Sequence, residues 1–435
     1  MPIWIRGGTL LDVINGTFAE GDVLIGADGN IAALGAFPAP ESAIVLDARG
    51  CAVLHGLVNA HTHLSQTFMR GLGDDKKLLD WLKNVVWKLQ AAMTPEDVYL
   101  ATLLGLVENV SCGVVALTEH HKLVNSPAHS EAALRAYLAF GLPTLFAYGW
   151  NDIGDGALHL DQIVAEMERL HAMADGTHVQ VCVGPMVPWR CSDEAMQRTF
   201  ALAEQWDVPF HLHAAETQDE VALMIARNGM RHIEWLAQLG VLSARTQVVH
   251  GVWLSDDELR LLQRSGARLI HCPTSNMYLA SGMAKVAPLY WRGVPIALGA
   301  DGSGSNNSQD MLELLKIAAL LAKVETMDAT ALLPRNILSM ACADGAAAVG
   351  LSAPQLAIGA AARLICVEIE TPRSAPVHDP FSALVYNTSG ADVRHVVIGE
   401  RIFVRDRAVQ GVDVSALIAE CTQAARSLLR RAELV

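Results

Sequence analysis

The sequence lacks the features that define several large protein classes. Its eight cysteines include no Cys-x-x-Cys pair and lie far apart, which indicates reduced, mostly buried thiols and no disulfide framework or zinc ribbon. Charged residues are only 18% of the chain against 51% hydrophobic residues, which argues against disorder. No apolar run is long enough to span a bilayer, and the first residues lack the apolar core of a signal peptide. We therefore expect a soluble, cytoplasmic protein.

Positive charge is also scarce. The formal net charge of −14 disfavours binding to a nucleic-acid backbone or to an anionic membrane. The length of 435 residues is enough for one large domain or two ordinary ones. A small molecule is therefore the expected partner, with neither nucleic acid nor membrane.

Three enzyme motifs are missing from the chain. Without His-Glu-x-x-His, the sequence does not encode that type of metalloprotease. Without Pro-Cys-x-x-Cys, it does not encode a zinc site of the cytidine-deaminase type. No Gly-x-Gly-x-x-Gly follows the first predicted buried strand, so a doubly wound nucleotide-binding sheet ranks below other α/β folds.

Eight apolar runs without polar alternation recur from residue 52 onward, as expected for parallel strands buried on both faces. They cover residues 52–60, 114–118, 143–148, 179–185, 209–215, 246–251, 268–273 and 295–300. Helical segments separate them, with capping residues such as Ser192 and Ser255 before early acidic residues. This alternation predicts an α/β fold, a distorted (β/α)8 TIM barrel.

The two chain ends differ from the middle. Residues 1–51 and about 355–412 alternate short extended runs with turns, and residues 414–432 have the pattern of a closing amphipathic helix. We expect both ends to form one small β-sandwich domain, which divides the chain at 1–51, 52–354 and 355–435. Large barrels with a peripheral β-domain often self-associate, so we expect a homo-oligomer.

Metal-binding side chains stand at the ends of four predicted strands, where the active site of such a barrel lies. They are His61 and His63 of the first strand, His213 of the fifth, His250 of the sixth and Asp301 of the eighth. Histidine and carboxylate ligands suit zinc or ferrous iron. In the fifth strand His213 lies nearer the tip, so we expect His211 to be a buried support beneath it. The fourth strand has no lysine to bridge a second ion, so we expect one metal ion.

Two further motifs resemble the amidohydrolase superfamily, in its branch of mononuclear aminohydrolases and chlorohydrolases. Residues 271–282 match that branch's strand-seven motif, and residues 301–307 match its strand-eight motif. The resemblance implies one Zn²⁺ per subunit, with Fe²⁺ as the alternative, held by His61, His63, His213 and Asp301. It also implies catalytic roles for three residues: Asp301 accepts a proton from the attacking water, His250 orients that water, and Glu216 protonates a ring nitrogen of the substrate.

The resemblance also implies a substrate pocket, whose predicted residues are Gln66, Trp81, Gln90, His121, Met186 and Trp189. The nucleoside-specific members of the branch tend to have an apolar residue where Gln66 stands and a ribose-binding glutamate where Gln90 stands. Residues 378–384 look like the 8-oxoguanine deaminase group. We therefore expect a metal-dependent deaminase of an oxidised purine base such as 8-oxoguanine, a pterin or an aminotriazine. The alternatives are an adenosine-type nucleoside deaminase, a triazine chlorohydrolase and a non-catalytic binding protein.

Overall fold

The computed structural model describes residues 1–122 and 126–434 and contains two sheets. The strands are β1 (Ile3–Asp12), β2 (Thr17–Ile25), β3 (Ile31–Gly35), β4 (Ile44–Asp47), β5 (Cys51–His55), β6 (Leu57–Thr62), β7 (Val114–His121), β8 (Thr144–Trp150), β9 (Val179–Pro185), β10 (Phe210–Ala214), β11 (Thr246–His250), β12 (Arg268–His271), β13 (Ile296–Leu298), β14 (Arg363–Glu368), β15 (Val393–Ile398), β16 (Arg401–Arg405) and β17 (Ala408–Val409).

Most helices lie between the strands of the second sheet. The α-helices are α1 (Leu78–Trp81), α2 (Trp87–Ala92), α3 (Pro95–Ser111), α4 (Pro127–Phe140), α5 (Leu160–Ala174), α6 (Asp193–Gln205), α7 (Gln218–Asn228), α8 (His232–Gln238), α9 (Asp256–Ser265), α10 (Pro273–Tyr278), α11 (Val286–Trp291), α12 (Ser303–Asn306), α13 (Met311–Thr326), α14 (Pro334–Ala341), α15 (Ala343–Ala348), α16 (Pro380–Asn387) and α17 (Val414–Arg431). Short 3₁₀ turns cover Leu64–Met69, Pro188–Arg190 and Gly390–Asp392, and a π-helical turn covers Leu82–Val86.

The second sheet is the predicted barrel. Its eight strands, β6 to β13, are parallel and follow one another in chain order, with helices between them. The last and first strands meet where the backbone N–H of Asp301 donates to the carbonyl of His61 at 2.9 Å. The (β/α)8 fold class is therefore confirmed, and both faces of its strands are buried because helices cover the outside.

The first sheet combines strands from both chain ends. Its nine strands run in the order β17-β16-β15-β14-β5-β1-β2-β3, with β4 paired to β1. They enclose a separate apolar cluster that includes Ile5, Val23, Leu364 and Val397. The expected closing helix is α17, which buries Leu417, Cys421 and Leu428. The boundaries of the three chain divisions stay a prediction.

One predicted barrel strand is wrong in its extent. The apolar run 52–60 is divided between β5, which pairs with β1 and β14, and β6, which pairs with β7. The partner changes within two residues: Gly56 N–H donates to Arg363, whereas Leu57 N–H donates to Gly113. A Cβ at Gly56 would lie 2.1 Å from a methyl group of Val115, so only glycine fits there. Because both strands are buried on both faces, hydrophobicity alone does not mark this change of sheet.

Within residues 1–122 and 126–434, no helix has the length and apolar character needed to cross a membrane.

Candidate active site

Four metal-binding atoms converge at the C-terminal end of the barrel. The Nε2 atom of His213 lies 3.2 Å from Nε2 of His61 and 3.2 Å from Nε2 of His63. The Oδ1 atom of Asp301 lies 3.4 Å from Nε2 of His61 and 3.5 Å from Nε2 of His63. A cation held tetrahedrally at the usual zinc–nitrogen distance would have ligand atoms about 3.3–3.4 Å apart. These four distances fit one such cation, and His61, His63 and Asp301 form a group that could hold a metal ion.

The protonation of two of these histidines supports the same conclusion. The Nδ1 atom of His63 lies 2.6 Å from the carbonyl oxygen of His120, and that of His213 lies 2.8 Å from the carbonyl oxygen of Met186. A carbonyl only accepts, so each Nδ1 carries the proton and each Nε2 presents a lone pair. Two lone pairs 3.2 Å apart in a buried site repel one another unless a cation lies between them.

Hydrogen bonds to both carboxylate oxygens hold the side chain of Asp301. The hydroxyls of Ser275 and Ser305 donate to Oδ2 at 2.6 and 3.0 Å, and the N–H of Gly302 donates to Oδ1 at 2.7 Å. Burial is the largest single influence and raises the pKa of Asp301, but the hydrogen bond to His61 and the charge interactions with His61, His63 and His250 together hold that pKa well below its usual value. The side chain is therefore a carboxylate whose Oδ1 faces the histidines.

Glu216 and His250 lie beside this donor set. The Oε2 atom of Glu216 lies 3.5 Å from Nε2 of His250, and the hydroxyl of Ser281 donates to its Oε1 at 2.9 Å. Nδ1 of His250 lies 2.9 Å from Oδ1 of Asn276. Burial, with a smaller contribution from the charge of Asp301, raises the pKa of Glu216 to about 8. Glu216 is thus a protonated acid at neutral pH.

A cavity opens above the donor set, at the end of the barrel where active sites lie. Its walls include His63, His213, Glu216, His250 and Asp301. Five of the six residues expected to contact substrate also line it, namely Gln66, Trp81, Gln90, Met186 and Trp189. The structure thus brings these predicted residues to one cavity.

The sixth, His121, lies elsewhere. Its ring stacks on Phe146 and its Nδ1 lies 3.9 Å from Glu119, whereas the neighbouring His120 points into the barrel and stacks on His213. Adjacent residues of a strand point to opposite faces, so only one of the two histidines can point inward. His121 is therefore not among the residues that line this cavity, and its role in substrate binding stays a prediction.

The predicted support role of His211 agrees with the structure. Its Nε2 lies 2.8 Å from Nδ1 of His61, below the donor set, and its Nδ1 lies 2.7 Å from Oε1 of Gln247.

Three charged cavity residues were not identified from the sequence. Glu220 follows Glu216 by one helical turn, and burial raises its pKa to about 7. Its position in the Thr217–Glu220 capping box was a sequence signal, but only of a helix start. Lys122 follows the tip of β7, and Arg190 ends the short turn after β9. Nothing in the sequence indicates that these two side chains meet.

Lys122 and Arg190 form a cationic wall between this cavity and a second one. Both lie over the ring of Trp87, at 5.9 and 5.7 Å from its centre. The second cavity is lined by both cations and also by Trp87, Gln90 and Trp189. In the part of the chain that the structure describes, the guanidinium of Arg190 donates only to the carbonyls of Ile153 and Asp155, and neither cation forms an ion pair.

Comparisons with known proteins identify the family of the chain. The model of the Amidohydrolase family matches residues 52–403. A 5-methylthioadenosine/S-adenosylhomocysteine deaminase of Halobacterium salinarum is 37% identical over 431 residues, covering 98% of each chain. A 5'-deoxyadenosine deaminase of Methanothermobacter thermautotrophicus is 36% identical over 435 residues, again covering 98% of each. These matches confirm the family resemblance inferred from the motifs.

Solved structures give the same family and fold. An adenosine deaminase from Xanthomonas campestris with bound zinc superimposes with a TM-score of 0.92 at 30% identity, covering 98% of both chains. Atrazine chlorohydrolase from Arthrobacter aurescens in complex with zinc has a TM-score of 0.90 at 22% identity, covering 97% of this chain and 100% of that one. At that identity the second likeness concerns the fold alone.

Proposed function

Since this chain belongs to the amidohydrolase family and is a metal-dependent hydrolase of C–N bonds, we propose that it deaminates adenosine-type nucleosides, releasing ammonia. The substrate first expected from the sequence is an oxidised purine base, a pterin or an aminotriazine. None of the relatives above supports it. They favour the alternative, a nucleoside of the methylthioadenosine, S-adenosylhomocysteine or 5'-deoxyadenosine kind.

The observation that carries the proposal is the protonated Glu216 beside the metal-donor set. Attack of water on the amino-bearing carbon of a purine places negative charge on the adjacent ring nitrogen, which a carboxylic acid neutralises by donating its proton. Glu216 lines the cavity and holds its proton at neutral pH because it is buried. An acid of this kind next to a cation site suits hydrolytic deamination.

We assign His61, His63, His213 and Asp301 to hold one Zn²⁺, which fits the tetrahedral spacing of their donor atoms. When bound, the ion supplies Lewis-acid activation that lowers the pKa of water.

The remaining roles belong to the side chains. Oδ1 of Asp301 faces the site as a carboxylate oxygen and accepts the proton of the attacking water. Nδ1 of His250 donates to Asn276, so its Nε2 is an acceptor that orients this water. Glu216 protonates the ring nitrogen, and the proton taken up by Asp301 passes to the departing amine as the carbon–nitrogen bond breaks. The hydroxyl proton of the intermediate then returns to Glu216 as the carbonyl forms.

The shape of the site supports a nucleoside over a bare base. Lys122 and Arg190 line both this cavity and the second one, so the site extends beyond the space around the metal ligands that a bare base would occupy. The amides of Gln66 and Gln90 can hydrogen-bond ribose hydroxyls without a charge. Two indoles, those of Trp81 and Trp189, supply flat apolar surface for the base.

The test is ammonia release from Zn²⁺-reconstituted protein over one panel. The panel contains adenosine, 5'-deoxyadenosine, methylthioadenosine, S-adenosylhomocysteine, 8-oxoguanine, isoxanthopterin and melamine, with Asp301→Asn as the control. We expect turnover of nucleosides that exceeds turnover of bases by at least about 100-fold, because ribose contacts contribute binding in the transition state. Turnover of 8-oxoguanine alone would contradict the proposal. Chloride release from a chlorotriazine without ammonia release from any nucleoside would indicate the chlorohydrolase alternative.

A further inference from the structure

We infer that His211 and Gln247 are positioning residues: with the carbonyl of Ala348 they fix the proton of His61 on Nδ1 and so keep its Nε2 free to bind the metal. This inference rests on the proposed role of His61 as a metal ligand. It concerns a chain of three hydrogen bonds that runs from the donor set down through the barrel interior.

The direction of every bond in this chain is determined by its last member. The Gln247 side chain lies 2.6 Å from the carbonyl oxygen of Ala348, which only accepts, so the amide Nε2 faces it. The amide oxygen therefore faces Nδ1 of His211, at 2.7 Å, and Nδ1 carries a proton. In a neutral His211 the other nitrogen, Nε2, is then an acceptor, and it lies 2.8 Å from Nδ1 of His61. His61 must donate there, which leaves its Nε2 as a lone pair.

The fold holds this chain rigidly. His211 and Gln247 are register partners on the neighbouring parallel strands β10 and β11. His61, His211 and Gln247 are buried, with exposed fractions of 0%, 0% and 3%. The rings of His61 and His211 lie nearly parallel, with centres 5.1 Å apart and an angle of 25°. None of these three side chains can reach bulk water as a substitute hydrogen-bond partner.

Of the three proposed histidine ligands, only His61 depends on this series of side-chain hydrogen bonds to fix its tautomer. His63 and His213 donate directly to backbone carbonyls, which cannot reverse their role. His211, in contrast, has two tautomers, and the other one would donate from Nε2 to His61. His61 would then carry its own proton on Nε2, facing the metal. The orientation of Gln247 selects between the two states.

The hydrogen bond from Gln247 to Ala348 also satisfies a carbonyl at the end of a helix. Ala348 is the last residue of α15, and the final carbonyls of a helix lack intrahelical donors. Gln247 satisfies one of them, and that carbonyl holds the amide in one orientation. The same bond thus caps a helix and sets the tautomer of a residue in the active site.

Gln247→Leu removes both amide bonds while keeping a similar volume. Loss of the partners of metal ligands typically weakens metal binding by 10–100-fold. We expect the Zn²⁺ dissociation constant, measured by competition with a chromophoric chelator, to rise by about this factor.

The matched control is Thr246→Val, next to Gln247 on the opposite face of β11. It removes two hydrogen bonds of the buried hydroxyl, to the carbonyl of Val241 at 2.6 Å and from the N–H of Ser243 at 3.0 Å, but leaves the bonds between His61, His211, Gln247 and Ala348 intact. We expect this variant to lose thermal stability and to bind Zn²⁺ as the parent protein does. Unchanged affinity in Gln247→Leu, or an equal loss in both variants, would overturn the inference.

A second measurement determines the proton positions in the parent protein itself and uses variants only to assign the signals. In ¹⁵N-histidine-labelled, metal-free parent protein, the imidazole shifts report which nitrogen carries each proton, with His61→Gln and His211→Gln spectra for assignment. We expect both rings to be protonated on Nδ1. A proton on Nε2 of His61 or of His211 would refute the inference. If the parent protein bound no Zn²⁺, the proposed metal centre would fail, yet these shifts would still decide the proton arrangement.

Discussion

The protonation of Glu216 offers the sharpest test of the proposed chemistry. Burial raises its pKa from the ordinary 4.5 to about 8. At pH 7 an ordinary glutamate would be protonated to about 0.3%, whereas a pKa of about 8 gives about 90%. The environment therefore increases the population of the acid form by about 300-fold, which is the form that the proposed proton transfer needs.

The sign of the pH dependence follows from this shift. An acid must hold its proton to donate it, so activity falls as pH rises through the pKa of Glu216. A bound divalent cation favours the carboxylate and lowers this pKa from the metal-free value. We therefore expect kcat/KM of the Zn²⁺-loaded enzyme to decline as the pH rises, along an alkaline limb centred between about pH 6 and pH 8.

Two variants test the assignment. Glu216→Gln keeps the shape but cannot donate an acidic proton, so kcat should fall by about 10²–10⁴-fold and the alkaline limb should disappear. Ser281→Ala removes a hydrogen bond that favours the carboxylate, so the limb should move to higher pH with little change in its shape. A Glu216→Gln enzyme within tenfold of the parent, or an unmoved limb in Ser281→Ala, would refute this reasoning.

Three further outcomes follow from the structure. Chelation should abolish ammonia release and lower the Tm, and Zn²⁺ should restore both in the parent and in His171→Gln but not in His63→Gln, because only His63 contributes a donor atom. Lys122→Met should lower kcat/KM for S-adenosylhomocysteine, whose side chain ends in a carboxylate, by about 10-fold and leave 5'-deoxyadenosine unchanged, because only a charged group gains from the cation. Glu119→Gln should stabilise the protein at pH 8 by about 2–3 kcal/mol in chemical denaturation, but hardly at pH 5.

The last of these depends on a buried acid outside the cavity. Tyr137 and the N–H of Leu64 both donate to Oε2 of Glu119, and an amide oxygen can accept both bonds. Burial raises the pKa of Glu119 to about 7, above the 4.5 of an ordinary glutamate, so the folded state loses stability as pH rises from 4.5 through 7. Equal stability of Glu119→Gln and the parent at pH 8 would contradict this account. For Lys122→Met, an equal loss with both substrates would contradict the specificity for charge.

The donor atoms of the site were predictable because they depend on regular geometry. Parallel strands end at one face of a barrel, so His61, His63, His213 and Asp301 had to converge once the strands were identified. The face of a strand was harder to predict. His120 and His121 are both buried, and in a strand covered on both sides no polar alternation shows which of two adjacent residues points inward.

The cavity residues that loops contribute could not be predicted from the sequence. Lys122 and Arg190 follow different strands, and they meet at Trp87, which stands on a helix after a third strand. Such a meeting depends on the path of three loops, which local propensity does not specify. The same limit explains why the residue types of Gln66 and Gln90, taken alone, argue against a nucleoside substrate. The sequence gives the residue types, but it does not give the space around them.

The strand tips also show why the site is rigid. Ala215, His250 and Asp301 have φ values of 53°, 69° and 64°, in the left-handed region that non-glycine residues seldom adopt. Each strained turn is held by a neighbour: Trp253 N–H donates to Ala215, Gly251 N–H to Ala214, and Asp301 N–H to His61. Strain persists only where the surrounding structure determines the backbone. Here the closure of the barrel imposes it, so Asp301 and His250 are aimed at the donor set before any ligand arrives.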